Sequence, residues 1–276
     1  MNKKEPFFYI ALPTFNRPDL VMRSVCSVIN QKYKNYKLII FNDGSLLNYQ
    51  QLENLVLEKE KIIYIKSKNI GVNKLRNIIL DSIYNENEVT DNSYFFTLSD
   101  DDYLSEDALL IMCKYIIQYK SSWYCFNCKS NSNHIFKNYD FIDFESMSYK
   151  EFSQGYKGDK HFVFKLNDIK LIRFPSLYFK NGYEHIFYYQ LPFKMQIIPK
   201  TVKIIEYYDD GLSLSDLYEK SHTFSILIKQ IKCAPKTWIF YKMLLRHIFL
   251  PKDIIKNLIS KERYYKIKRK LGLKSK

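Results

Sequence analysis

The sequence predicts an α/β fold, a mainly parallel central sheet covered by helices, with a helical basic extension at the C-terminus. Three observations carry this expectation. Short apolar runs bounded by polar turn residues alternate with helical patterns over the first hundred residues, as in parallel sheets built from crossover units. Only seven glycines occur in 276 residues, yet Gly44 and Gly71 each follow such a run, where the ligand loops of open α/β sheets lie. The excess of positive charge gathers at one end: the chain carries +14, and residues 252–276 hold ten Lys or Arg against only Asp253 and Glu262.

Taken in order, the runs Phe7 to Leu12, Lys37 to Phe41, Lys61 to Ile65 and Tyr94 to Leu98 are short, β-branched or aromatic, and read as buried strands. Leu20, Val21, Val25, Val28 and Ile29 mark the apolar face of a helix opened by Pro18, and Leu75, Ile78, Ile79 and Ile83 mark another. A further helix starts near Ser105, with Glu106 and Asp107 in its first turn, where the helix dipole favours anions. Trp123 to Phe126 is a strand. Residues 129–160 have no clean period and read as a substrate-facing excursion. Order returns with a strand at His161 to Lys165, a helix around Tyr183 to Leu191 and the run Gln196 to Tyr208. Beyond Leu217, helical patterns broken by Pro235 and Pro251 lead into the basic tail.

Composition excludes several classes. With 46% hydrophobic residues, 24 Tyr and 20 Phe, the chain is globular and not disordered. The five cysteines (26, 113, 125, 128 and 233) are an odd count and three sit in apolar patterns, which suits reduced thiols at a cytoplasmic location. Cys125 and Cys128 form C-x-x-C without a second pair, and in a strand they face opposite ways, so packing is expected of them and not zinc. The run at Phe7 is too short for a signal-peptide core, and no stretch reaches the roughly 18 uninterrupted apolar residues of a membrane span. Neither a Walker loop, a G-x-G-x-x-G nor an H-E-x-x-H is present.

Chemistry concentrates at Ser99-Asp100-Asp101-Asp102, three carboxylates directly after a buried strand. Adjacent like charges repel, so the cluster needs a compensating cation, and a hard divalent ion, Mn²⁺ or Mg²⁺, shared with substrate phosphates answers that need. A solvated turn capping the next helix is the alternative. Three loops point into the same crevice: Pro13-Thr14-Phe15-Asn16-Arg17-Pro18, Asn42-Asp43-Gly44-Ser45 and Asn69-Ile70-Gly71-Val72-Asn73-Lys74-Leu75-Arg76-Asn77.

In this order and spacing the pieces resemble the family 2 glycosyltransferases of the GT-A fold, with half-motifs P-T-[YF]-N-R, D-D-G-S, N-x-G-x-x-x-x-R-N and D-x-D-D. The resemblance is close over residues 7 to 110. It implies that Pro13, Thr14 and Asn16 wrap the donor nucleotide, Asp43 reads its base or ribose, Arg76 lies beside it, and Asp101 binds the metal. Family members often carry Asp where Ser99 stands here, so that carboxylate is lost or replaced by Asp100, and Asp102 stays a further candidate. Beyond residue 110 the match is looser. Gly158-Asp159-Lys160, Arg173-Phe174-Pro175, Gly182-Tyr183-Glu184-His185 and Tyr207 to Ser213, which includes Asp210, are similar to the acceptor half of bacterial envelope-saccharide enzymes. There Glu184 matches the general base, with His185 a second candidate in the same spot.

The organisation implied is a donor half at 1–110, an acceptor half at 111–216 and the extension at 217–276. The expected reaction is inverting, metal-dependent transfer from a nucleotide-sugar donor, UDP-linked, to a saccharide or lipid-linked acceptor. The tail combines Ile254, Ile255, Leu258, Ile259, Tyr264, Tyr265 and Ile267 with its basic residues, as an anionic membrane surface would select. A peripheral place at the inner face of the cell membrane is the expectation, with a solvated or disordered end the alternative. By residue type alone Glu184 better suits an ion pair with Lys180, and Asp43 suits an Asx-turn or helix cap, Arg76 a solvated helix face, and Asp209 and Asp210 a turn. Two rivals carry less. A sugar-phosphate nucleotidyltransferase would open with a glycine-rich loop where Pro13-Thr14-Phe15-Asn16 stands. A nucleic-acid-binding protein would not place three carboxylates in its cleft or confine its basic residues to a tail, so nucleic acid is not an expected partner.

Overall fold

A computed structural model describes residues 5–86, 88–131, 139–156, 158–175, 183–208, 223–233, 241–242 and 244–245. By contacts the chain divides into two units, Met1–Leu217 and Tyr218–Lys276. In the first, strands β1 (Phe7–Thr14), β2 (Tyr36–Asn42), β3 (Ile62–Lys66) and β4 (Ser93–Thr97) alternate with helices α1 (Pro18–Ile29), α2 (Gln50–Leu57) and α3 (Val72–Asn85). There follow β5 (Tyr103–Leu104), α4 (Ala108–Tyr119), β6 (Trp123–Ser130), β7 (Glu145–Met147), α5 (Tyr149–Gly155), β8 (Lys160–Lys165), a short 3-10 turn at Leu166–Ile169, α6 (His185–Tyr189) and β9 (Met195–Ile205). The second unit contains α7 (Thr223–Cys233). Among the described residues no helix is long and apolar enough to cross a membrane.

The strands form one sheet in the order β3-β2-β1-β4-β8-β6-β9-β5, with β7 beside β9. The half made by β3, β2, β1 and β4 is wholly parallel, as the alternation of strands and helices requires. Beyond β4 the sheet is mixed, because β8 runs antiparallel to both β4 and β6 while β9 runs parallel to β6.

Both faces are buried, and strand periodicity shows how. On β1, Phe8, Ile10 and Leu12 point to one face and meet Val21, Val25 and Val28 of α1 and Leu109, Met112 and Ile116 of α4. Tyr9 and Ala11 point to the other, against Leu75, Ile79, Leu80 and Ile83 of α3. On β6, Tyr124 and Phe126 share the first core, Trp123 and Cys125 the second. Each large side chain so buried contributes about 2 kcal/mol.

Some local expectations need correction. The fourth helix begins at Ala108, so Glu106 and Asp107 precede it, where Asp107 pairs with Lys32 at 2.9 Å. The helix expected around Tyr183 to Leu191 is only His185–Tyr189. The stretch 129–160, expected as an irregular excursion, contains β7 and α5, the latter opened by a reciprocal Ser148–Glu151 capping box.

Candidate active site

Because β1 to β4 are parallel, their carboxyl ends deliver four loops to one edge of the sheet. Pro13 and Thr14 end β1 opposite Phe41 and Asn42 of β2. Thr14 Oγ1 shares a hydrogen bond with Tyr49 Oη at 3.0 Å, and Tyr49 Oη also accepts the Arg17 N–H at 2.9 Å. Asn16 sits in the left-handed region at φ +54°. Its N–H donates to Ser45 Oγ at 2.9 Å while its Oδ1 accepts the Leu46 N–H at 2.8 Å. The first two loops are therefore stitched together through Asn16.

Asp43 joins the second loop to the third. Its two carboxylate oxygens accept the N–H groups of Ile70 (2.7 Å) and Gly71 (2.9 Å) at the entry to α3. That is the helix-cap alternative realised in another form: the carboxylate is buried and turned to backbone donors where the helix dipole favours an anion. The glycines allow this approach. Gly71 has φ +93°, and at Gly44, φ +75°, a Cβ would come within 2.6 Å of the Asn69 nitrogen.

The acidic turn is held from beneath by the polar side of α1. Ser24 Oγ donates to the carbonyl of Asp100 at 2.9 Å, with the carbonyl of Asp102 also within reach, and Arg23 Nη2 donates to the carbonyl of Asp101 at 2.6 Å. Arg23 Nη1 reaches Glu206, just after β9, at 2.6 Å. The three side chains then diverge. Asp102 is turned into the protein, 2.6 Å from Lys203 Nζ of β9. Burial disfavours that ammonium, yet the neighbouring Asp102 outweighs burial and holds the Lys203 pKa above its ordinary value.

Asp100 and Asp101 share a different cation. Arg17 Nη1 lies 2.8 Å from Asp101 Oδ2 and 3.5 Å from Asp100 Oδ1, while the Phe15 N–H donates weakly to Asp100 Oδ2 at 3.4 Å. Burial, and after it repulsion from Asp101, push the Asp100 pKa up to about 6 despite Arg17. Two carboxylates around one guanidinium form a hard-oxygen donor set with charge to spare, which fits a divalent cation. Among the described residues no group of three His, Cys, Asp or Glu side chains converges as a metal cage, so the fit is to an ion completed by substrate oxygens and water.

A second buried pair lies on the α3 side. Arg76, only 6% exposed, donates through Nη1 to Asn73 Oδ1 at 3.2 Å and to Glu184 Oε1 at 2.7 Å, with the Phe174 ring 5.2 Å from its guanidinium. Arg76 is thus no solvated helix residue. Burial would raise the Glu184 pKa, but Arg76 overrides it and leaves that pKa below the usual carboxylate value. His185, next in the chain, is held below the ordinary imidazole pKa by burial, against the opposing pull of Glu184. The Tyr183 and Tyr189 rings approach it edge-on at 5.8 and 6.3 Å.

The structure thus brings Pro13, Thr14, Asn16 and Asp43 into one hydrogen-bonded set, joins it through Phe15 and Arg17 to Asp100 and Asp101, and pairs Arg76 with Glu184. It sets Asp102 apart under Lys203. Asp210 and the basic tail lie outside the described residues, as does Lys180. Cys125 and Cys128 are both buried in β6. Sequence reasoning missed Arg17, Arg23, Ser24 and Lys203. Arg17 was legible, since it stands inside the first loop motif; Lys203 was not, being a hundred residues from its partner.

Comparison with known proteins agrees with this geometry. The family model "Glycosyl transferase family 2" matches residues 9–186. An uncharacterised glycosyltransferase of Haemophilus influenzae is 25% identical over 189 residues, covering 62% of this chain and 67% of that protein. The putative colanic acid biosynthesis glycosyl transferase WcaA of Escherichia coli is 37% identical over 78 residues, 27% of this chain and 28% of WcaA. GlyA of Streptococcus pneumoniae is matched over only 17% of its length, at 25% identity and across 43% of this chain. Among solved structures, S. aureus TarS 1–349 in complex with UDP-GlcNAc superposes with a TM-score of 0.66 at 15% identity, covering 88% of this chain and 71% of that one. The fold is therefore the GT-A fold. With the family match spanning the sheet from β1 through the Arg76–Glu184 pair, the chain belongs to the family 2 glycosyltransferases.

Proposed function

We propose that this chain moves a sugar from a nucleoside diphosphate sugar, UDP-linked, to a hydroxyl of a cell-envelope saccharide or lipid-linked acceptor, with inversion at the anomeric carbon. The observation that carries the reading is the joining of the loops at the carboxyl ends of the parallel strands: those after β1 and β2 are bonded through Asn16, and the first is tied to the acidic turn through Arg17. TarS, whose fold this chain shares, has been solved with UDP-GlcNAc and with UDP, which supports the donor class. The likeness to WcaA, named for colanic acid biosynthesis, supports a polysaccharide as product.

Asp101, with Asp100, would hold Mn²⁺ or Mg²⁺, whose charge when bound offsets that developing on the departing nucleoside diphosphate. The chain's own residues do the rest. Thr14 and Asn16 fix the loop around the nucleotide. Asp43 locks the entry to α3 so that Arg76 stands at a set place. Arg76 keeps Glu184 anionic, and burial keeps His185 beside it neutral near pH 7, so both side chains are free of the proton that a base must accept. Glu184 is the general base in this reading, with His185 a second candidate in the same spot. One displacement without a covalent intermediate inverts the anomeric centre. The basic tail would bring the enzyme to anionic lipid at the inner face of the cell membrane.

The test is a panel of nucleotide sugars with Mn²⁺ or Mg²⁺, scoring nucleoside diphosphate release and the anomeric configuration of the product. Turnover should require the metal and fall at least about a hundredfold in Asp101→Ala and Glu184→Ala. Undiminished turnover in the presence of a chelator, or in Asp101→Ala, would falsify this reading.

A further inference from the structure

We infer that Arg17 is a built-in counter-cation of the acidic turn, seated where a divalent ion would bind, so that metal enters fully only when a donor diphosphate draws the guanidinium away. This rests on the reading of Asp100 and Asp101 as the metal-binding pair.

The geometry carries the inference. A single nitrogen, Arg17 Nη1, reaches Asp101 Oδ2 at 2.8 Å and Asp100 Oδ1 at 3.5 Å, so one positive group spans both carboxylates. All three side chains are largely enclosed, at 14%, 20% and 12% exposure, so the charges are poorly screened by water. A divalent ion on the same oxygens would meet the guanidinium at close range, and like charges there exclude one another.

The Arg17 backbone cannot yield to relieve this. Its N–H is held by Tyr49 Oη at 2.9 Å, and its carbonyl accepts the Val21 N–H at 3.1 Å as the first bond of α1. Only the side chain can turn, about its own torsions, while the backbone of the acidic turn stays fixed by Arg23 and Ser24. A diphosphate brings negative charge enough for both cations. It offers the guanidinium the bidentate oxygen geometry that Arg favours, leaving Asp100 and Asp101 to the metal. The protein would then hold Mn²⁺ weakly alone and tightly with a nucleoside diphosphate, and that coupling would reside in one side chain. Other phosphate-using metal sites obtain such coupling from shared ligands alone; here a resident cation would add to it.

The experiment measures Mn²⁺ binding by the loss of the free-ion EPR signal, on the full chain, with and without UDP. Wild type should bind Mn²⁺ weakly alone and much more tightly with UDP. Arg17→Gln, which removes the charge, should bind Mn²⁺ alone about tenfold more tightly and show a smaller gain from UDP. Arg17→Lys, which keeps the charge, should stay near wild type, and circular dichroism establishes that each variant is folded. Should Arg17→Gln fail to fold, Arg17→Met makes the same charge deletion, with the same expectation. Equal Mn²⁺ affinity of the neutral variant and wild type without UDP, both tightening alike when UDP is added, overturns the inference and leaves the metal reading standing. If neither binds Mn²⁺ even with UDP, the metal reading itself fails and the inference with it.

Discussion

His185 and Glu184 are neighbours in sequence but opposites in electrostatics, and their pH behaviour separates their roles. Burial disfavours the imidazolium of His185 and outweighs the favourable Glu184 charge, so its pKa lies below 6.5. Glu184, itself paired with Arg76, is the charge that opposes burial at His185, and the rings of Tyr183 and Tyr189 lie near it. With Glu184 as the base, the expected kcat/KM profile is flat to below pH 4.5 and activity vanishes in Glu184→Gln. If neutral His185 takes the proton instead, kcat/KM rises with pH through a value under 6.5 and is flat above it. Glu184→Gln then removes the anion that supports the imidazolium, so the rise would move to lower pH with activity retained in part, and that outcome would pass the base to His185. Lys203 offers a test of stability at the same scale. Lys203→Met leaves Asp102 buried without its cation and should cost about 3–5 kcal/mol in urea unfolding, while Lys203→Met with Asp102→Asn recovers most of it. A loss under 1 kcal/mol for the single variant would mean that water already reaches Asp102.

At the scale of elements, the crevice depends on how closely the second and third loops approach, and Gly44 sets that distance. Gly44→Ala places a Cβ 2.6 Å from the Asn69 nitrogen at φ +75°, so it should cost roughly 1–3 kcal/mol and raise the donor KM as Asp43 loses its grip on the entry to α3. Unchanged melting and KM would show that the loops part without consequence. The same loops show what a sequence can disclose. Strands β1 to β4 were legible because each is a short apolar run, mostly buried in β1, β2 and β4 and partly so in the edge strand β3, and Gly44 and Gly71 because glycine is scarce enough here for its positions to carry meaning. Helix α2 was not. Leu52 is its only fully buried residue; Leu55 and Val56 pack on the core in part while Leu57 is 85% exposed, so the apolar stripe is about one turn of an eight-residue helix. The capping box of α5 was present as Ser148 and Glu151, but seven residues between irregular segments give too little periodicity to confirm it. The acidic turn was legible as charge and illegible as geometry. Its counter-ions come from the loop before α1 and from β9, and nothing local to residues 99–102 reveals that Asp102 turns inward to Lys203 while its two neighbours face Arg17.

For the whole molecule, charge is divided between chemistry and location. The crevice spends its cations internally: Arg17 on Asp100 and Asp101, Lys203 on Asp102, Arg76 on Glu184. Little of the +14 net charge is therefore needed by the donor site, and the ten basic residues of 252–276 are available for a separate partner. Anionic lipid suits their interleaving with Ile, Leu and Tyr, each basic residue near the surface being worth on the order of 1 kcal/mol. Reversing Lys266, Lys268, Arg269 and Lys270 to Glu in the full chain removes four such attractions and adds four repulsions. It should abolish co-sedimentation with vesicles containing phosphatidylglycerol while leaving nucleotide-sugar hydrolysis in solution near wild type. Binding of wild type should itself weaken as salt rises, since attraction between basic residues and a lipid surface is screened over about 8 Å at physiological ionic strength. Vesicle binding that survives the reversal would place the membrane contact elsewhere. A parallel loss of hydrolysis would show that the tail serves the crevice after all, and that location and chemistry are not divided in this chain.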